Sequence, residues 1–144
     1  MRLQGESKFT ANREMVWQVL NSPESLKNCT PGCKELIQID EDTYETKMEI
    51  GVAAIKGVYH GKINLSEKSY PERFTLQIHA EGSVGVVDAT AKLVLKENGE
   101  HTLVEYEGDA QVAGLIAGVG QRMLSGVAKV MLGQFFKSMA KEIA

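Results

Sequence analysis

The 144-residue sequence predicts an α+β domain in which a curved antiparallel sheet holds one long C-terminal helix. Three observations lead there. A short strand and two short helical segments fill the first 30 residues, a period-two hydrophobic pattern runs from residue 34 to 112, and a helical period holds from there to the end.

The opening "RLQGESKFT" reads as a short strand. In "ANREMVWQVLNS", Val16, Trp17, Val19 and Leu20 have helical spacing, and Asn12 can accept from the first free backbone N–H groups. "SPESLKNC" repeats the signal, with Ser22 as the cap and Pro23 at the first helical position, and "TPG" stops it.

From residue 34 the alternation takes over. Tyr44, Thr46, Met48 and Ile50 alternate with charged residues, as do Tyr59, Gly61, Ile63 and Leu65 with His60, Lys62 and Asn64. Phe74, Leu76, Ile78 and Ala80 continue the dry face, followed by Ala89, Ala91, Leu93 and Leu95, and then Val104, Tyr106, Gly108, Ala110 and Val112. "SYPE", "EGSVG" and "ENGE" mark the turns, and Asn98-Gly99 makes strands 85–97 and 101–113 direct neighbours. The result is an antiparallel meander with one dry and one wet face.

In the last segment Ile116, Val119, Met123, Val127, Val130, Met131, Phe135 and Met139 form an apolar stripe, with Arg122, Ser125 and Lys129 opposite. A helix of roughly 25 residues is expected to bury this stripe against the dry face of the sheet. The whole chain, 1–144, reads as a single domain without internal repeats.

Composition excludes several function classes. A net charge of −3 and a pI near 5.6 supply no field for nucleic acid, and no local basic patch replaces it. The N-terminus lacks a secretion-signal core, and the longest apolar run, 112–120, falls short of the roughly 20 residues a membrane helix needs. Cys29 and Cys33 are too few ligands for structural zinc, and His60, His79 and His101 lie far from them in sequence, so they read as buried or loop-packing thiols. Neither a metal nor a cofactor is expected.

"VAGLIAGVGQRML" at 112–124 resembles a phosphate loop only in its glycines. Gly114, Gly118 and Gly120 have the wrong spacing, no lysine follows, and the meander offers no parallel βαβ context. It reads as a strand-to-helix junction where backbones approach closely and the chain can flex, at the mouth of a pocket.

Catalytic chemistry is not evident. Inward positions carry no paired carboxylates and no nucleophile beside a base. Glu105, Glu107 and Asp109 fall on the wet face, where Lys92 and Lys96 can pair with them across strands. At 100° per residue Gln134 falls inside the apolar stripe, so it is satisfied either by protein groups or water, or by a polar group on a ligand. Tyr59 and Tyr106 serve both readings. Met48, Met123, Met131 and Met139 suit an adaptable apolar lining and core packing equally.

Phe9, the run "VWQVLNSPESLKNCTPGC" at 16–33, "GLIAGVGQRM" at 114–123, and Phe135 with Phe136 give the whole chain a resemblance to the carbon monoxide dehydrogenase G-subunit family of the START-like, helix-grip superfamily. The resemblance implies the Bet v 1-like helix-grip fold, with about six or seven strands around the helix and a cavity for hydrophobic small molecules. It also implies a non-enzymatic accessory protein of carbon monoxide dehydrogenase and related molybdenum hydroxylases. Such a protein recruits the enzyme to the membrane or carries a lipophilic molecule such as a quinone.

The expected ligand site comprises Met48, Tyr59, Phe74, Tyr106, Met123, Val127, Val130 and Gln134, with Pro31, Gly32, Gly114 and Gly118 at its mouth. A hydrophobic, quinone-like or lipid-like molecule and a molybdenum hydroxylase are the expected partners. The alternatives are an assembly factor docking through its outer surface, and a cyclase or hydrolase of the same superfamily. The expected location is cytoplasmic, peripheral at the inner face of the cell membrane. Some longer family members carry a C-terminal anchor, and because this chain stops at "KSMAKEIA", membrane contact is expected to be transient.

Overall fold

The computed structural model describes residues 1–143. β1 (Arg2–Phe9) leads into α1 (Arg13–Leu20) and α2 (Pro23–Cys29). Their caps form as the sequence predicts: Asn12 accepts from Met15 N–H at 2.9 Å and Ser22 from Ser25 N–H at 3.3 Å. Six strands follow: β2 (Cys33–Asp40), β3 (Thr43–Ile50), β4 (Gly57–Ser69), β5 (Arg73–Gly82), β6 (Gly85–Asn98) and β7 (His101–Ala113). One antiparallel sheet of seven strands results, in the order β1-β7-β6-β5-β4-β3-β2. The Asn98-Gly99 signal holds, since Asn98 faces His101 across the tight turn.

Short 3₁₀ turns cover Ala53–Ile55, between β3 and β4, and Leu115–Val119, after β7; α3 (Gln121–Ile143) closes the chain. The core gathers where α1, α2 and the C-terminal half of α3 meet the sheet, around Phe9, Trp17, Leu65, Phe74, Phe136 and Met139. Trp17 meets Phe74 edge-on with ring centroids 5.2 Å apart, and Phe136 stacks on Tyr106 at 5.2 Å. Thr102, fully buried, donates its hydroxyl to the Ala11 carbonyl at 2.8 Å and ties β7 to the start of α1.

The C-terminal segment departs from expectation in two ways. Ile116 and Val119 do not begin the helix, because Gly114 (φ +91°) and Gly120 (φ +97°) take backbone conformations that isolate them in the 115–119 turn. The buried face of α3 is also turned away from the expected stripe. It runs along Leu124, Ala128, Leu132, Phe136 and Ala140, with Met139 and Ile143 alongside.

Met123 and Val130 are exposed instead, at 53% and 61%, and Gln134 is exposed beside them. The reason is that α3 is apolar on two adjoining sides, so a 3.6-residue period fits both. The side carrying Leu124, Leu132 and Phe136 docks because its larger side chains find aromatic partners in the core. Arg122 and Lys129 are exposed as expected, whereas Ser125 is half-buried.

Candidate functional site

The concave face of the sheet is unevenly filled. At the α1–α2 end its inward side chains are shut away, with Leu65, Phe74, Leu93 and Leu95 each no more than 6% exposed. Towards the other end the inward side chains shrink. Gly61 pairs with Ala80, Ala89 with Ala110, and Ala91 with Gly108, so small residues make a floor across β4 to β7. At Gly61 and Gly108 the neighbours already sit close, since a Cβ would lie 2.8 Å from Thr46 Oγ1 and 2.7 Å from the Thr90 carbonyl oxygen.

The larger inward residues around this floor, Met48, Ile50, Ile78, Val87 and Val112, are only half-buried, as are Val127 and Met131 of α3. Together they form a half-exposed apolar stretch beside the core, called the trough below. The alternation predicts the inward face, and the small residues within it are the sequence signal of the trough.

The expected site residues divide accordingly. Met48 sits at the trough end of β3, opposite Cys33 on one side and Tyr59 on the other. Tyr59 is buried and its hydroxyl donates to the Ile55 carbonyl at 2.7 Å, anchoring the 53–55 turn; burial raises its pKa. Val127 of α3 is half-buried. Tyr106 lies at the margin, half-buried against Phe136. Phe74 belongs instead to the main core, packed on Trp17. Met123, Val130 and Gln134 lie on the exposed edge of α3, which corrects their expected burial.

Pro31 and Gly32 form a turn closed by Cys33 N–H to the Thr30 carbonyl at 3.1 Å, and Gly32 (φ +79°) accepts from Glu49 N–H at 2.8 Å. This turn is docked on β3 next to Met48, and a Cβ on Gly32 would lie 2.5 Å from the Glu49 carbonyl oxygen. Gly114 and Gly118 are exposed in the 115–119 region. That turn touches the 53–55 turn, although β7 and β4 stand three places apart in the sheet, so the two turns meet across the trough end of the concave face.

The wet face is a lattice of cross-strand charges. Lys96 meets Glu105 at 2.7 Å, Arg2 pairs with Glu107, and the N-terminal ammonium lies 3.8 Å from Asp109. His79 is bonded through Nδ1 to Asp88 at 2.6 Å and through Nε2 to Glu81 at 3.3 Å, and both carboxylates raise its pKa above 6.5. The two acids hold opposite ring nitrogens, a geometry for orienting the ring rather than chelating an ion. Around them Lys62, Asn64, Gln77 and Asp109 line a shallow depression of about 490 Å³.

Both cysteines are free thiols. Burial pushes Cys29 up to about 11, assisted by Glu142 with its carboxylate oxygen 3.9 Å from Sγ, and burial likewise raises Cys33. In both cases burial favours the neutral thiol.

A seven-stranded antiparallel sheet curved around one C-terminal helix defines the helix-grip, START-like fold class. Within that class the chain belongs to the carbon monoxide dehydrogenase G-subunit (CoxG) family, whose sequence profile matches residues 5–144. A conserved protein from Geobacillus kaustophilus is 38% identical, with a TM-score of 0.96 over 99% of this chain and 95% of its own. A START superfamily protein from Mycobacterium smegmatis shares the fold at 12% identity, with a TM-score of 0.75 over 99% and 96% of the two chains. A Chromobacterium violaceum protein does so at 12% and 0.76, over 99% and 96%. No curated protein sequence matches the chain. Among the described residues no helix is long and apolar enough to cross a membrane.

Proposed function

We propose that this chain is a non-enzymatic accessory protein that binds an apolar small molecule, quinone-like or lipid-like, in the trough between sheet and helix. Its client is a membrane-linked molybdenum hydroxylase of the carbon monoxide dehydrogenase kind, a reading supported by family membership. One observation carries the binding role. The small inward residues Gly61, Ala80, Ala89, Ala91 and Gly108 are only half-buried, as are Val127 and Met131 of α3, so apolar surface is left for a ligand to cover.

The rim suits transient contact with a bilayer surface. Val52, Leu115, Met123 and Val130 are exposed, Lys56, Arg122 and Lys129 lie close to them in sequence, and residues 110 to 141 contain no acid.

Native mass spectrometry of the freshly purified protein, followed by organic extraction, tests the reading. A stoichiometric quinone or lipid, or uptake of added decylubiquinone that Val127→Trp abolishes, is the expected outcome. A clean apo mass with no uptake of quinone or fatty acid would overturn it. The polar depression on the outer face favours a second reading, docking and assembly of the dehydrogenase through that surface. It predicts a complex that survives Val127→Trp and is lost on Lys62→Glu.

A further inference from the structure

We propose that the 115–119 turn is a hinged lid over the end of the trough, held shut by one side chain, Ile116, seated in a slot at Gly85. The proposal rests on the trough being the ligand site.

The hinges are Gly114 (φ +91°, ψ −161°) and Gly120 (φ +97°, ψ 147°), backbone states that L side chains rarely adopt. Between them the turn is barely attached. Leu115 is 78% exposed, Ala117 is exposed, and nothing lies within 4 Å of where a Cβ on Gly118 would sit. Ile116, at 4%, is the one fully buried residue of the turn, and Val119 is half-buried.

Its slot exists because residue 85 has no side chain. A Cβ there would lie 2.4 Å from Ile116 Cγ1 and 2.5 Å from the Ala113 carbonyl oxygen. Ile116 N–H donates to the Val84 carbonyl at 2.9 Å, so the same residue supplies both the bolt and the tether. Because this turn meets the 53–55 turn across the end of the sheet, withdrawing Ile116 parts the two and opens the trough there. A lid on glycine hinges with one apolar bolt opens by local motion and leaves the main core, at the far end, undisturbed.

A lid and a ligand contact differ kinetically, since a lid sets both rates and leaves the equilibrium nearly unchanged. The probe is N-phenyl-1-naphthylamine followed by stopped-flow fluorescence. Ile116→Val trims the bolt by one methyl group and is expected to raise association and dissociation about fivefold together, with Kd within about twofold of wild type. Ala117→Ser, an exposed change in the same turn, should alter neither rate.

Hydrogen exchange without probe supplies the second readout: the Ile116 amide of Ile116→Val should exchange about fivefold faster than in wild type. Faster amide exchange with unchanged probe rates would overturn the gate while leaving the trough reading intact. A change confined to dissociation would make Ile116 a ligand contact and overturn the lid. Failure of the probe to bind either protein would overturn the trough reading and the gate with it.

Discussion

His79 shows how much one exposed side chain can report about a surface. Its ring N–H groups donate to the carboxylates of Asp88 first and Glu81 second, and these bonds favour the protonated ring. A histidine whose folded pKa is raised contributes stability that is fully present below its unfolded value, near 6.5, and is lost as the pH rises through the higher folded value. The ring carbon shifts of His79, followed by NMR, should therefore titrate above 6.5, and Asp88→Asn should bring the midpoint back towards it. A midpoint at or below 6.5 in the wild type would mean that the pair does not persist in solution. At this scale the sequence is legible where one residue type does one local job. Asn12 and Ser22 are readable as caps because each needs only the backbone three residues ahead. Thr102 is not, since its partner, the Ala11 carbonyl, is 91 positions away.

Elements with two chemically different faces are legible in the same way. The strands alternate apolar with charged or amide residues, so a one-residue error in facing would bury several charges at once, and the inward sets are fixed. The helix α3 lacks that contrast. Met123, Val127 and Val130 on one side and Leu124, Leu132 and Phe136 on the next both satisfy its period, and only the aromatic partners of Phe136 select the docked face. The start of the helix is hidden similarly, because Ile116 and Val119 fit the helical period while Gly114 and Gly120 set the chain's direction. The docked face is open to direct test by chemical denaturation. Phe136→Ala should cost about 3–5 kcal/mol, whereas Val130→Ala and Gln134→Leu should stay within about 0.5 kcal/mol of wild type. The reverse ranking would restore the stripe through Val130 and Gln134 as the buried one.

For the whole molecule, the consequence of an uneven core is that the aromatic packing and the proposed binding site lie at opposite ends. Aromatic packing of Trp17 on Phe74 and of Phe136 on Tyr106 ties α1 and α3 to the sheet at one end. At the other end the inward strand residues are small, and Val127 and Met131 of α3 are half-buried. Family and fold class were legible because they depend on element order and alternation, which the chain states plainly. The proposed site was less legible, since alternation tells which side chains point inward but not whether they meet. Enlarging a side chain distinguishes the two ends. In a close-packed interior an added indole strains its neighbours by about 1–3 kcal/mol, while in an open trough it finds space. Val127→Trp should therefore melt within about 0.5 kcal/mol of wild type, as a substitution away from packed features does. Trp17→Ala, at the packed end, should lose about 3–5 kcal/mol. A destabilisation by Val127→Trp as large as that of an overpacked core would show the trough to be filled by the protein itself, and the binding role would fall with it.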